Sequence, residues 1–171
     1  MIKEVCGRMI SKILEKMILF SNGNIHDIDH FIRVWTYAKT IGELEGLDEE
    51  KQFILEIAAI THDIACPLCR EKYGHTNGKY QEIEGGRLVQ ELLKDSQLRN
   101  NQIERIAFLI AHHHTLENIE EIDWQILIEA DFDPTAVIGG KLPLTGSNGM
   151  VGHSEHMVCE ACEFVDTFLD L

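Results

Sequence analysis

Two residues at the end of an apolar segment, His62 and Asp63, are the side chains of this sequence best suited to metal chemistry. They close the run Phe-Ile-Leu-Glu-Ile-Ala-Ala-Ile-Thr-His-Asp, residues 53–63. His30 lies upstream and Asp131 lies downstream. Two imidazoles and two carboxylates can hold a divalent cation and leave coordination positions open for water and substrate. Because burying His62 and Asp63 without a cation or a partner would be costly, we expect a metal there.

The order His, His-Asp, Asp resembles the HD-domain superfamily of metal-dependent phosphohydrolases. The resemblance covers residues 25–131 and rests on an ordered set of motifs: His30 with Arg33-Val34, Ala58-Ala-Ile-Thr-His-Asp-Ile64, Glu71-Lys-Tyr-Gly74, Gln81-Glu-Ile-Glu-Gly85, Ile110-Ala-His-His-His114 and Ile126-Leu-Ile-Glu-Ala-Asp131. It implies an all-helical fold that cleaves phosphoester bonds, often in nucleotides. It also implies four metal ligands: His30, His62, Asp63 and Asp131. Asp133 is a nearby and weaker alternative to Asp131.

The chemistry that this ligand set implies is hydrolysis by an activated water. Two carboxylates neutralise a divalent cation, which could then bind a phosphate oxygen and lower the pKa of a water from about 15.7 toward 7. Asp63 is expected to be essential to that reaction. The mixed nitrogen and oxygen donors suit manganese, iron, cobalt, nickel or zinc and do not distinguish among them.

The number of metal ions is predicted from one departure from the family pattern. Some superfamily members hold two ions and use histidines on the next two helices, but Gln81 stands where the first of these is expected. An amide is a poor replacement for an imidazole ligand, so we predict one divalent metal. The alternative is a second ion on His113 with Glu82 or Glu84.

Four further side chains are candidates for contacts with a phosphorylated substrate. His113 extends the apolar stripe of Ile106 and Ile110, and we expect it to bind phosphate or carry a proton. Consecutive helical residues point about 100° apart, so His112, His113 and His114 could not share one ion on a helix. Arg33 could bind phosphate through two hydrogen bonds or pair with a carboxylate. Lys72 and Lys79 are candidate phosphate contacts, although exposed lysines are usually only solvated.

The five cysteines allow a competing interpretation. Two Cys-x-x-Cys pairs have the spacing of zinc ligands, Cys66 with Cys69 and Cys159 with Cys162. The second pair falls on an apparent amphipathic helix that needs no metal. We therefore expect ordinary reduced thiols and no four-cysteine zinc site.

The elements that must position these residues are helices, since hydrophobic residues recur at helical spacing and no strand alternation is evident. Gly46 and Asp48 are expected to end one helix and cap the next, and Pro67 is expected to close the helix that carries His62. The Gly85-Gly86 pair inside a helix suggests a close approach of another helix or a ligand. The pattern predicts six helices, at residues 3–20, 27–46, 49–64, 80–94, 99–113 and 122–131.

Length and composition complete the sequence prediction. With 171 residues and 44% hydrophobic residues, we expect a single globular domain. The family resemblance implies an all-α, single-domain HD-type bundle of about six to seven helices. We expect residues 1–131 to form this helical domain and residues 132–171 to form a C-terminal tail of uncertain structure that packs on it. The net charge of −14 disfavours a nucleic-acid polymer as partner.

A small phosphorylated substrate is the expected partner of this domain, because a bound cation reverses the local field even on an acidic protein. No run of about 20 apolar residues indicates a membrane span, so we expect no membrane partner and a cytoplasmic protein. The rival function is a non-catalytic HD-type module that senses a phosphorylated ligand.

Overall fold

The computed structural model describes residues 2–132, and all regular secondary structure within that range is helical. The predicted helical bundle is confirmed, with seven helices in this part of the chain. They are α1 (Ile2–Phe20), α2 (Ile25–Leu44), α3 (Glu49–Thr61), α4 (Cys66–Tyr73), α5 (Gly78–Leu93), α6 (Asn100–Ile110) and α7 (Ile122–Asp131). A C-terminal tail from residue 132 was predicted to pack on this domain. Residues 133–171 of that tail lie outside the described residues, so the prediction stays a prediction.

The turn between α2 and α3 forms as its residue types predict. Gly46 has a φ of 70°, in the left-handed region that glycine adopts without strain. The amides of Gly46 and Leu47 donate to the carbonyls of Glu43 and Gly42, at 3.2 and 3.0 Å, which satisfies the end of α2. Asp48 then caps α3, since its carboxylate accepts hydrogen bonds from the amides of Glu50 and Lys51.

Helix α3 is the centre of the fold. Its residues 53–61 are all buried, and it packs against α1, α2, α6 and α7. The segment Glu49–Tyr73, which contains α3 and α4, is long and apolar enough to cross a membrane by length and composition alone. Since 78% of its most apolar window is buried inside the described fold, the burial is that of a core helix.

Helix α4 was missed by the sequence pattern. Pro67 was expected to close α3, but it lies in the first turn of a new helix, where its missing N–H has no helical partner to lose. Gly74 ends α4 with a φ of 77°. The consequence is that His62 and Asp63 lie at a tight junction between two helices, with Cys66 and Cys69 just beyond.

The Gly85-Gly86 pair is explained by a close helix approach. A Cβ atom at Gly85 would lie 2.7 Å from Cγ2 of Ile110, and one at Gly86 would lie 3.3 Å from the carbonyl oxygen of Ala107. Glycine at these positions lets α5 pack directly on α6. This contact fixes the end of α6, which precedes His113.

Candidate metal centre

Three helices bring the four predicted ligands together. His30 lies on α2, His62 caps the end of α3, Asp63 follows it in the turn, and Asp131 is the last residue of α7. The Nε2 atoms of His30 and His62 are 3.1 Å apart. Asp131 Oδ1 lies 3.1 Å from the first and 3.2 Å from the second. Asp63 Oδ2 lies 3.3 Å from His30 Nε2 and 3.7 Å from His62 Nε2.

The ring of His62 is oriented by its own helix. The side chain is fully buried, and its Nδ1–H donates a 2.7 Å hydrogen bond to the carbonyl of Ala59. Because Nδ1 carries that proton, Nε2 is the atom available to the cluster. Burial lowers the pKa of His62, but the carboxylates of Asp63 and Asp131 outweigh burial and raise it to about 9. The carboxylates thus favour a positive charge at this position.

Burial affects both Asp131 and His113, but their protonation states at pH 7 differ. Burial raises the pKa of the Asp131 carboxyl, but His62 and His30 outweigh burial and hold it well below its usual range. Burial lowers the pKa of His113 to about 4, with smaller contributions from His114 and His62. Asp131 is therefore ionised and His113 is neutral at pH 7.

His113 faces the cluster with an unpaired nitrogen. Its Nδ1–H donates to the carbonyl of Ile110 at 2.6 Å, and its Nε2 lies 3.9 Å from Asp63 Oδ1. That Nε2 is buried and has no hydrogen-bond partner among the described residues. A buried acceptor without a donor is unfavourable, so a donor or a cation bound at this nitrogen would relieve that cost.

The three consecutive histidines do not lie on a helix, because α6 ends at Ile110. The expectation of an α6 that continues to residue 113 is wrong, and the helical spacing argument does not apply to them. One ligand atom each from His113, His114 and Asp131 lie within 4.8 Å of one another. His114 therefore joins His113 beside the four ligands, a residue that the sequence analysis did not select.

The cationic side chains chosen from the sequence lie in three different settings. Arg33 Nη2 lies 3.3 Å from His30 Nδ1, at the edge of the cluster. The ammonium of Lys72 binds Glu84 Oε1 at 2.6 Å, which raises the pKa of Lys72 above its ordinary value. Lys79 is exposed, and its ammonium has no hydrogen bond or ion pair in the described part of the chain. Contacts of Lys72 and Lys79 with phosphate stay predictions.

The residues considered for a second metal ion have other partners. Gln81 is buried and donates a 2.8 Å hydrogen bond to the carbonyl of Thr76, while its Oε1 has no partner among the described residues. Glu82 accepts from the His114 amide at 3.1 Å and thereby holds the turn after α6. Glu84 accepts from Tyr73 and Lys72. Both carboxylates are thus occupied in holding the structure around the site.

The first Cys-x-x-Cys pair lies next to the cluster. Cys66 and Cys69 are buried free thiols at the start of α4. Burial raises the pKa of Cys66, and a hydrogen bond with Asp63 raises it further. A thiol of raised pKa is a weak ligand and nucleophile. Cys159 and Cys162 lie outside the described residues, as does Asp133, so those alternatives stay predictions.

Arg70 is the cation at this site that the sequence analysis missed. Its guanidinium binds the carboxylate of Asp27 through both Nη atoms. The two residues are 43 positions apart, so no local pattern indicates the pair. The signal that could have found Arg70 is its position four residues after Cys66, which places both side chains on one face of α4 once that helix is known.

The fold and the clustered ligands together define the class of protein. The HD-domain family model matches residues 27–138, which is more than half of the chain. The chain belongs to the HD-domain family, whose members are generally metal-dependent. A crystal structure of a predicted HD superfamily hydrolase from an uncultured Thermotogales bacterium has the same fold, with a TM-score of 0.61 and 23% identity. The match covers 95% of this chain and 88% of that protein.

Shorter similarities link the chain to curated UDP-N-acetylmuramate--L-alanine ligases. The ligase of Caldanaerobacter subterraneus subsp. tengcongensis is 50% identical over 44 residues, which is 26% of this chain and 10% of the ligase. The ligase of Clostridium kluyveri is 30% identical over 92 residues, which is 47% of the chain and 20% of the ligase. The chain therefore spans only a tenth to a fifth of the length of these relatives.

Proposed function

We propose that this protein is a metal-dependent phosphohydrolase that cleaves a phosphoester in a nucleotide or another small phosphorylated metabolite. The observation that carries the proposal is the convergence of two carboxylates on two imidazoles: oxygens of Asp63 and Asp131 each lie 3.1 to 3.7 Å from the Nε2 atoms of His30 and His62. Family membership supports a metal-dependent hydrolase. The likeness to the ligases is confined to a small part of their length, and the proposal does not rest on it.

The donor set fits one divalent ion. The Nε2 atom of His62 faces the cluster because Nδ1–H is held by the Ala59 carbonyl. Asp63 and Asp131 provide two negative charges, and the pKa of His62 is raised because those charges attract a cation, in this case a proton. Nitrogen and oxygen donors of this kind suit manganese, iron, cobalt, nickel or zinc.

The residues around the ligands perform the remaining steps. A divalent ion, when bound, supplies Lewis acidity that lowers the pKa of a water and offsets negative charge on phosphate. His113 is neutral at pH 7, so its unpaired Nε2 can accept a hydrogen bond from the attacking water and position it. Asp63 Oδ1 lies 3.9 Å from that nitrogen, on the same side of the site.

Arg33 is available to phosphate once His30 serves as a ligand. A guanidinium only donates, so its 3.3 Å contact with His30 Nδ1 requires the proton of His30 to lie on Nε2. Ligation through Nε2 moves that proton to Nδ1, where it faces the guanidinium and ends the hydrogen bond. Arg33 is then free to bind a phosphate oxygen beside the ligands.

We propose a single ion, with His113 beside the reacting phosphate. The amide of Gln81 and the structural partners of Glu82 and Glu84 support this count. The specific observation that favours a second ion is the group His113, His114 and Asp131. A metal content of about one per chain by elemental analysis agrees with the proposal, and two tightly bound ions per chain contradict it.

The test of function is a phosphatase screen of metal-loaded protein across nucleotides and sugar phosphates. Asp63→Ala should abolish hydrolysis, since one of the two charge-neutralising carboxylates is lost. Asp95→Ala, at an exposed carboxylate remote from the ligands in sequence, is the matched control and should retain activity. A wild-type protein that binds metal and phosphorylated ligands but hydrolyses none of them would support the sensing module instead.

A further inference from the structure

Two cations flank the ligand cluster along α2. Asp27, His30 and Arg33 are spaced by three residues, so they follow one another on the same face of that helix. Arg33 contacts His30 directly. Arg70 reaches Asp27 from α4, on the other side of His30. Along α2, the order is therefore Arg33, the ligand cluster and Arg70.

On α4, as on α2, the residue of the ion pair lies one helical turn from a residue at the ligand cluster. Cys66 contacts Asp63, and Arg70 follows Cys66 by four residues on the same face. The Asp27–Arg70 pair therefore lies one helical turn, about 5 Å, from the His30–Asp63 pair. The carboxylates of Asp27 and Asp63 raise the pKa of Arg70, as expected of a guanidinium near both.

The Arg70 guanidinium retains donors for a ligand. It has five N–H groups in a fixed plane, and Asp27 accepts from Nη1 and Nη2. The Arg70 side chain is 41% exposed, whereas that of Asp27 is 13% exposed. The carboxylate is thus the enclosed partner that orients the guanidinium, and the guanidinium is the partner that a solute can reach.

We propose that Arg70 binds a second anionic group of the substrate, so that the preferred substrates are phosphoesters that carry a further phosphate or carboxylate about one helical turn from the phosphorus. The inference rests on the proposed function for the position of the first phosphate. A single phosphate on the ligands and Arg33 leaves Arg70 unused, whereas a longer dianion reaches from the ligands to the Arg70 guanidinium.

The competing role for Arg70 is a structural one, in which its pair with Asp27 only ties α4 to α2. This role has support, because the pair is bidentate and its carboxylate is only 13% exposed. The two roles differ in their response to Asp27→Asn. A tether fails when either partner is removed, but anion binding requires only the guanidinium.

Three phosphonates that cannot be hydrolysed test the proposal by isothermal titration calorimetry on manganese-loaded protein. Propylphosphonate carries one anionic group, 3-phosphonopropionate adds a carboxylate, and propane-1,3-diphosphonate adds a second phosphonate. We expect the wild-type protein to bind at least one of the longer anions about tenfold more tightly than propylphosphonate, as charge-assisted hydrogen bonds permit. The longer phosphonate that binds more tightly identifies the second anionic group of the substrate as a carboxylate or a phosphate.

The variants separate binding from tethering. Arg70→Ala should bind all three phosphonates about equally, Arg70→Lys should keep part of the preference, and Asp27→Asn should keep most of it. Arg99→Ala is the matched control, because Arg99 pairs with Glu50 between α6 and α3 at the end of α3 remote from His62. If Asp27→Asn and Arg70→Ala lose the preference for the longer phosphonates equally, the role of Arg70 is to hold α4 on α2. A wild-type protein that binds all three phosphonates equally would also overturn the inference. Neither result depends on hydrolysis, which the phosphatase screen decides separately.

Discussion

Replacing Gly85 with alanine should destabilise the protein although it adds a better helix former. Glycine is about 1 kcal/mol less favourable than alanine inside a helix, so the change gains that amount from propensity. Against this gain, the new Cβ would lie 2.7 Å from Cγ2 of Ile110, a fully buried side chain. Overpacking of this kind costs about 1–3 kcal/mol. We expect a net loss of about 1 kcal/mol in the free energy of unfolding.

Gly7→Ala is the matched control for that substitution. Gly7 lies inside α1, and a Cβ there would meet nothing within 4 Å. The control should therefore gain about 0.5–1 kcal/mol. Urea unfolding of the three proteins, at equal slope with denaturant, measures the two opposite shifts.

The same variant tests how α5 supports the metal centre. The carbonyl of Ile110 accepts the hydrogen bond that orients His113, so a displaced Ile110 should turn the His113 ring. Gly85→Ala should then lower the rate of hydrolysis more than Gly7→Ala does. In an Ile110→Ala background, Gly85→Ala should cost less stability than it does in the wild-type background, because the methyl group in conflict is absent. If Gly85→Ala is as stable as Gly7→Ala, the close packing of α5 on α6 is not as described.

Three other predictions follow from the site and its surroundings. Burial raises the pKa of Glu129 to about 7, so the contribution of this residue to stability is present at acidic pH and is lost as pH rises through 7. Glu129→Gln should therefore increase the free energy of unfolding at pH 8 by on the order of 2 kcal/mol, measured by thermal or urea unfolding. No gain would contradict burial of the Glu129 charge. Gln81→His should add a second metal equivalent by elemental analysis, and unchanged content would mean that position 81 does not limit the count. Metal content should be unaffected when serine replaces all four cysteines of the two pairs, Cys66, Cys69, Cys159 and Cys162. Loss of one zinc ion together with loss of the fold would instead favour a four-cysteine zinc site.

Much of the fold follows from local sequence signals. Gly46 and Asp48 carry their own turn and cap chemistry, and the stripe of Phe31, Val34 and Ala38 on α2 is buried as its spacing predicts. Helix α4 escaped notice because a proline is equally compatible with the end of one helix and the first turn of another. Only packing after the turn at His62 decides between these alternatives.

The candidate site was predictable where a motif exists and unpredictable where contacts are long-range. The clustering of the four predicted ligands was anticipated through the family pattern, since periodicity alone does not show that three helices converge. The Asp27–Arg70 pair joins residues far apart in sequence and leaves no local pattern. The same holds for the close approach of Gly78 to His114, where a Cβ added at position 78 would lie 2.6 Å from Cδ2 of the ring. The partner of Lys72 was also hidden, because Glu84 turns inward on a separate helix.

The ligands also have a consequence for how the chain folds. His30 and His62 are 32 positions apart, and Asp131 comes from the far end of the described range. An unfolded chain offers no such group of donors, so an ion that binds them binds the native state almost exclusively. Its binding free energy then adds directly to the stability of the fold, by about 1.4 kcal/mol for each tenfold excess of free ion over the dissociation constant. An ion held there would act as a reversible cross-link that closes two long loops, and it would tie the lifetime of the folded chain to the supply of metal around it.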